Sequence, residues 1–321
     1  MIALNDNQQS ALRPHQFDVV VVGAACLDVK GQLLVQGVGG TSNPGAVRIT
    51  AGGCARNVAE NLARLGARTA LLSVVCEDDF GQAILAQTER AGVVTDHVLV
   101  SCERSSAAYM ALLNADGQLV FGIDDLGAIG MLTVEYVQDH ADLLQQARLV
   151  MIDANVPLDS ARAILAICHE AGVPVGCDPV AYLPALRYQP LIDAFALVTP
   201  NALEAQVLTG MPVETVTQGV LAAKQLVGMG VGVAVITLAS AGVTFATADL
   251  SGHIPALDVE IVDTTGASDA LTATILYGML NDIPLDEAVR LGVSAAALTL
   301  RSTDTVCQDL SLESLYAQLI I

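Results

Sequence analysis

The sequence predicts an α/β fold: a doubly wound, mostly parallel sheet with helices on both faces. Composition, residue choice and the order of apolar runs each point there. Of 321 residues, 53% are hydrophobic and only 15% charged, against roughly 25% charged in an average domain, so most of the chain is interior. Aromatics amount to 3% with no Trp, which leaves Ala, Val, Leu and Ile to build the core. Those side chains suit buried parallel strands beneath helices. Along the chain, short apolar runs alternate with amphipathic stretches, the rhythm of repeated βα units.

The elements follow in order. Residues 17–23, Phe-Asp-Val-Val-Val-Val-Gly, read as a buried strand ended by glycine. Residues 29–50 are rich in Gly, Val and Thr and carry the turn-like Ser42-Asn43-Pro44-Gly45. Gly52-Gly53 opens a helical pattern over 57–65, closed by Gly66. A strand at 69–75 and a helix at 81–91 come next. Residues 101–123 form a hairpin around Asn114-Ala-Asp-Gly117. The alternation then resumes, with strands at 149–152, 173–177, 196–199 and 233–238. Helices are expected at 158–171, 183–192, 201–209, 217–229, 268–280 and 285–300. With no Pro/Ser-rich linker and no internal repeat, the expected organisation is a polar tail at 1–16 and one domain over 17–321. The segments near 29–50 and 101–123 are small β excursions from the rhythm.

Charge and cysteine usage narrow the function. The balance of 14 Lys+Arg against 34 Asp+Glu gives a net charge of −20, with no basic stripe to displace counterions, which argues against nucleic acid as a partner. Seven Cys without a CxxC pair fit reduced thiols rather than disulfides or a zinc site. The first residues lack the basic-then-apolar order of a signal peptide. Residues 225–248 are uncharged but broken by glycines, so they read as a helix end and a short strand rather than a membrane span. A soluble, cytoplasmic protein is expected, without membrane contact. The five His residues lack metal-ligand spacing.

In a doubly wound sheet, ligands sit beyond the carboxyl ends of the strands. The richest candidate there is Asp263-Thr264-Thr265-Gly266-Ala267-Ser268-Asp269, running into a helix. A small-residue turn at a helix N-terminus offers free N–H groups to a phosphate, and a first-turn carboxylate could accept a proton. The plainer alternative is capping by Asp and Ser alone.

This segment resembles the DTxGAGD motif of PfkB-type, ribokinase-like carbohydrate kinases. Four further matches occur in that family's order. Gly23-Ala-Ala-Cys-Leu-Asp28 resembles its GxxxxD, and Gly52-Gly53-Cys-Ala-Arg-Asn57 its GGxxxN. Thr199-Pro-Asn201-Ala-Leu-Glu204 is similar to PNxxE, and Thr237-Leu-Ala-Ser240-Ala-Gly242 to the nucleotide loop TLGxxG. The resemblance covers the chain from about residue 17 onward. It implies a ribokinase-like fold whose β excursions form a lid over the sugar, and a homodimer paired through that lid. It implies transfer of the ATP γ-phosphoryl group to a primary hydroxyl, with Asp269 as base and the amides of Gly266, Ala267 and Ser268 as anion hole. Asp28, Gly52, Gly53 and Asn57 would hold the sugar. Asn201, Thr237, Ser240, Gly242 and Gly266 would line the ATP site. Glu204 and Asn201 would hold Mg2+ through water, and Asp263 and Thr265 a monovalent cation, K+ being the expected ion. Ser268 departs from the motif, where the family has glycine, a residue suited to unusual φ or close approach.

For the acceptor, four features resemble the pseudouridine kinase branch: the Ser42–Gly45 loop before the double glycine, Arg56 before Asn57, Asp153-Ala-Asn155, and Cys177-Asp178-Pro179-Val180. A uracil base needs paired amide or hydroxyl partners, for which Asn43, Ser106, Asp125 and Asn155 are candidates. Tyr109 reads as a rim or interface residue. A simple turn at 42–45 and capping of the next helix by Asp153 and Asn155 are the plainer readings. The alternatives in function are a ribose- or fructose-type sugar kinase and a non-catalytic sugar- or nucleotide-binding member of the family.

Overall fold

A computed structural model describes residues 15–319; the polar segment expected at 1–16 falls almost wholly outside them. The strands are β1 Phe17–Val22, β2 Cys26–Leu33, β3 Gly45–Gly52, β4 Thr69–Cys76, β5 Val98–Ser101, β6 Ala108–Leu113, β7 Leu119–Asp125, β8 Ala147–Asp153, β9 Val175–Asp178, β10 Leu197–Val198, β11 Val233–Thr237, β12 Val243–Ala246 and β13 Ser251–Ile254. Among the described residues, nine of these form one sheet in the order β13-β12-β11-β10-β9-β8-β1-β4-β5. From β11 to β5 every pairing is parallel, and only the β12–β13 edge is antiparallel.

The four consecutive valines of β1 are explained by a core on each side of the sheet. Val20 and Val22 face one core with Leu72 and Val150, while Val19 and Val21 face the other with Leu71 and Met151. Alternation of side chains across a strand makes both faces apolar when both are covered. Helices α1 Cys54–Arg64, α2 Asp79–Arg90, α3 Val134–Asp139, α4 Ala141–Gln145, α5 Leu158–Ala171, α6 Tyr182–Tyr188, α7 Ala202–Thr209, α8 Val216–Gly228, α9 Ala267–Leu280, α10 Leu285–Leu300 and α11 Leu312–Leu319 supply that cover. Ile164 of α5, Leu208 of α7 and Leu226 of α8 pack on the first face. Leu62 of α1, Ile275 of α9 and Val293 of α10 pack on the second.

Several expected boundaries move for local reasons. The helix expected at 57–65 starts at Cys54, directly after its N-cap Gly53. The one expected over 183–192 gives way after Tyr188 to a 3-10 turn over Gln189–Ala194, where Pro190 cannot supply a helical N–H. Strands β12 and β13 were not distinguishable from loop in the sequence, because four-residue runs carry little period.

The second sheet, in the order β3-β2-β6-β7, is the small lid. It covers parts of the segments expected at 29–50 and 101–123, starting three residues earlier, at Cys26, and running on to Asp125. Its two faces differ. Asp28 and Lys30 project from one face of β2, while Val29 and Gly31 lie on the other, where the cross-strand neighbours are Val47, Ile49, Met110, Leu112, Phe121 and Ile123. Those six side chains are exposed.

Candidate active site

The carboxyl ends of β1, β8, β9, β10 and β11 open toward one edge, and the lid rises from the same edge. Asp153 ends β8, fully buried, and its Oδ2 accepts from the amides of Ala24 (2.8 Å) and Ala55 (3.1 Å). It thus ties the turn after β1 to the first residues of α1. Capping of the following helix was the plainer expectation; α5 instead starts after Pro157, with no side-chain cap. Asn155 is half-buried beside it, and its amide donates to Asp153 Oδ1.

Helix α1 delivers Asn57. The guanidinium of Arg56 is completely buried, pairs with Glu60 at 2.9 Å, and donates from Nη2 to Asn57 Oδ1 at 2.6 Å. With its oxygen held this way, Asn57 presents its amide nitrogen, which donates to Asp269 Oδ2 at 2.7 Å. Burial alone pulls the Arg56 pKa down, and Glu60 and Asp28 oppose that. Gly52 lies so close to Asp28 that a Cβ would fall 2.3 Å from its carboxylate, and Gly53 is the N-cap of α1. Asp28 is buried, and that burial raises its pKa despite Lys30 and Arg56.

Asp269 sits in the first turn of α9. Burial pushes its carboxyl up to about 6, with the Asn57 and Cys54 hydrogen bonds limiting the rise. A carboxylate titrating there is ionised at neutral pH yet still basic enough to take a proton. The N-cap of α9 is Gly266, φ 84°, and no side chain caps it, so Asp and Ser of the motif do not serve as caps. A Cβ at Gly266 would meet the Thr305 carbonyl oxygen at 1.8 Å; only glycine fits. Ser268, by contrast, lies exposed within the helix. Its backbone is helical, so nothing at that position demands glycine, and its side chain does not crowd the turn.

Asn201 and Glu204 form a reciprocal capping box at the start of α7: Asn201 Oδ1 accepts from the Glu204 amide, and Glu204 Oε2 accepts from the Asn201 amide at 2.8 Å. Burial lifts Glu204 to about 7. Asp178, at the end of β9, is raised well above the ordinary range by burial and by the charges of Glu204 and Asp269. The sequence did not single out Asp178 or Cys54 as site residues, yet Cys54 Sγ, an Asp178 oxygen and an Asp269 oxygen lie within 4.8 Å of one another. Thr237 ends β11 and pairs with Asn201 across the sheet edge. Ser240 lies in an exposed 3-10 turn, and Gly242 follows it.

Several expectations meet different surroundings. Asp263 and Thr265, expected to take a monovalent cation, hold the ammonium of Lys30. Asn43 bonds only the backbone of its own loop, at Val38 and Thr41, because an Asx side chain there closes the turn. Ser106 is buried and committed to Asp78 and the Cys76 amide. Asp125, at the exposed end of β7, receives the Gly127 amide at 3.4 Å. Tyr109 is half-buried on the inward face of the lid, its cross-strand neighbours being Asp28 and Asp124.

A buried carboxylate at an uncapped helix start, with strand-end carboxylates beside it and a lid above, defines a phosphoryl-transfer type of centre. The pfkB family carbohydrate kinase model matches residues 16–309, and the chain belongs to that family, as a phosphotransferase acting on an alcohol group. It is 30% identical to Pseudouridine kinase of Escherichia coli (strain K12), over 92% of this chain and 94% of that protein. It is 25% identical to Guanosine-inosine kinase of Exiguobacterium acetylicum, over 89% and 95%. Among solved structures, ribokinase of Arabidopsis thaliana complexed with ribose and ATP superposes with a TM-score of 0.83 at 25% identity, covering 95% and 99% of the two chains. Among the described residues, no helix is long and apolar enough to cross a membrane.

Proposed function

We propose that this protein transfers the γ-phosphoryl group of ATP to the 5′-hydroxyl of a nucleoside, pseudouridine, giving pseudouridine 5′-phosphate and ADP. The observation that carries the reading is Asp269: buried, titrating near 6, oriented by Asn57, at a helix start whose amides no side chain claims. Asp269 takes the hydroxyl proton as the new O–P bond forms and the bond to the β–γ bridging oxygen breaks. The amides of Gly266, Ala267 and Ser268 receive the charge developing on the transferred group. Asp28 on the inward face of the lid and Asn57 at the start of α1, both buried polar groups, hold the sugar hydroxyls, with Gly52 and Gly53 leaving room for them.

Asp178 and Glu204 are buried carboxylates, Asp178 raised by burial and by the charge of Glu204, and Glu204 raised by burial, a donor set suited to a hard divalent cation. Glu204 and Asn201 would hold Mg2+ through its water shell, where the ion neutralises phosphate charge. Thr237, Ser240 and Gly242 border the nucleotide. Pseudouridine is favoured by the relation to the E. coli enzyme together with the Asp153–Asn155 and Asp178–Val180 segments, both of which end central strands at the site. The exposed apolar rows of the lid support a homodimer paired through it, since unpartnered patches of that kind mark interfaces. Phe121→Asp, in the middle of those rows, should convert a dimer to a monomer in sedimentation; a wild-type monomer would remove that pairing.

The substrate is tested by ADP release with Mg-ATP against pseudouridine, uridine, adenosine, ribose and fructose. Selective turnover of pseudouridine is expected. Turnover of ribose or fructose would keep the kinase and discard the acceptor. Nucleotide binding without any turnover would favour a binding protein.

A further inference from the structure

We propose that Lys30 is a built-in cation for the anion-hole loop, taking the place of a monovalent metal ion and delivered by the lid. The inference rests on the kinase reading for its catalytic meaning, but the cation site itself stands on geometry alone. Lys30 is one of only two lysines in the chain. Its Nζ lies 2.6 and 2.5 Å from the two carboxylate oxygens of Asp263 and 2.5 Å from Thr265 Oγ1. An ammonium has three N–H donors and no acceptor, so three oxygens satisfy it completely. The Lys30 and Asp263 side chains are 13% and 16% exposed, a pair withdrawn from most solvent screening.

The two residues concerned, Asp263 and Thr265, are those that the sequence resemblance assigns to a monovalent cation. With an ammonium seated on them, a metal ion would have to share the site with a second positive charge at contact distance. The residues present therefore do not fit K+. What remains is the task such an ion would perform. Asp263 also accepts the Thr265 amide at 2.9 Å, and the chain passes from there into Gly266, Ala267 and Ser268. Neutralising Asp263 keeps the loop folded back on itself and fixes the direction of the amides that follow.

Lys30 sits two residues beyond Asp28 on β2, so both side chains leave the same face of the lid. A second lid residue reaches toward the same region, Arg48 Nη1 lying 3.4 Å from the Thr303 carbonyl. Lid position and loop geometry are thereby coupled. When β2 lies over the site, Asp28 and Lys30 arrive together; when it lifts, the loop loses its counter-charge. Lys30 is a positioning residue in this scheme, since it touches the loop and not the reacting atoms.

The test compares wild type with Lys30→Met, which keeps the length of the side chain and removes its charge. Turnover is measured at matched ionic strength in KCl and in tetramethylammonium chloride, and the thermal midpoint is recorded in both salts. Wild-type turnover should differ less than about twofold between the salts. Lys30→Met should lose about tenfold or more in tetramethylammonium, the size of effect expected when an anion hole is misaligned, and regain part of it with K+ or methylammonium. In the absence of any turnover, the midpoints still decide: wild type should show no K+-specific shift, and Lys30→Met should show one. Activation or stabilisation of wild type by K+, or a Lys30→Met variant indifferent to every cation, would overturn the proposal.

Discussion

Two helices begin at the carboxyl edge of the large sheet, and they begin differently. Helix α7 is closed by its own side chains: Asn201 and Glu204 satisfy each other's backbone amides in a capping box. Helix α9 starts at Gly266 with no side chain on its amides, although Asp263, Thr264, Thr265 and Ser268 all lie within three residues. Free N–H groups at a helix start are unsatisfied unless something accepts from them. The α7 amides are satisfied within the helix start itself, whereas those of α9 have no side-chain acceptor, and it is there that the proposed mechanism puts the transferred phosphoryl group. The comparison also explains why polar residues near a helix start are poor evidence of function until their hydrogen bonds are known.

Three substitutions sharpen the contrast. Gly266→Ala should have the largest effect, because the new Cβ falls 1.8 Å from the Thr305 carbonyl and φ is 84°. A loss of at least about 3 kcal/mol in chemical denaturation is expected, along with turnover; a stable, active variant would show that the open end tolerates closure. Asn201→Ala should cost about 1 kcal/mol, the ordinary value of a lost N-cap. Its denaturation midpoint reads the loss directly, and no change would mean that the box does not hold α7. Ser268→Gly should change least. Its backbone is already helical, so turnover is expected to stay within about threefold and stability to fall by less than about 1 kcal/mol. A large gain in rate would mean that the serine hinders the site after all.

Legibility in the sequence followed chain distance. The parallel sheet was readable because each buried strand is a continuous apolar run, as in Val19–Val22. Asp28 and Asn57 were readable because each lies in a short motif of its own, and Gly266 and Asp269 because they share a third. The antiparallel edge β12–β13 was missed for want of length. The contact between Lys30 and Asp263 spans 233 positions, and nothing local to either residue announces the other. Cys54 and Asp178 were missed for the same reason, since only the fold brings them to Asp269. Asn43 shows the opposite case: its turn-forming neighbours are explained by the turn itself, and its side chain bonds the backbone there.

Arg56 also gains its meaning only in three dimensions. A buried guanidinium is costly unless paired, and here Glu60 pairs it while Asn57 is turned toward Asp269. The sequence marks it only as the residue before an asparagine.

The proposed base can be tested most directly by comparing wild type with Asp269→Asn, measuring turnover across pH, ATP affinity by calorimetry and stability at pH 8. Wild-type kcat/KM should rise about tenfold per pH unit below 6 and level off above it, as the carboxyl loses its proton. Asp269→Asn should lose about a thousandfold in turnover while binding ATP as wild type does. Its stability at pH 8 should equal or exceed that of wild type. The Asp269 pKa is raised in the fold, so its stabilising contribution is present at low pH and is lost as pH rises through about 6. Undiminished turnover in Asp269→Asn, with the same pH profile, would contradict the account.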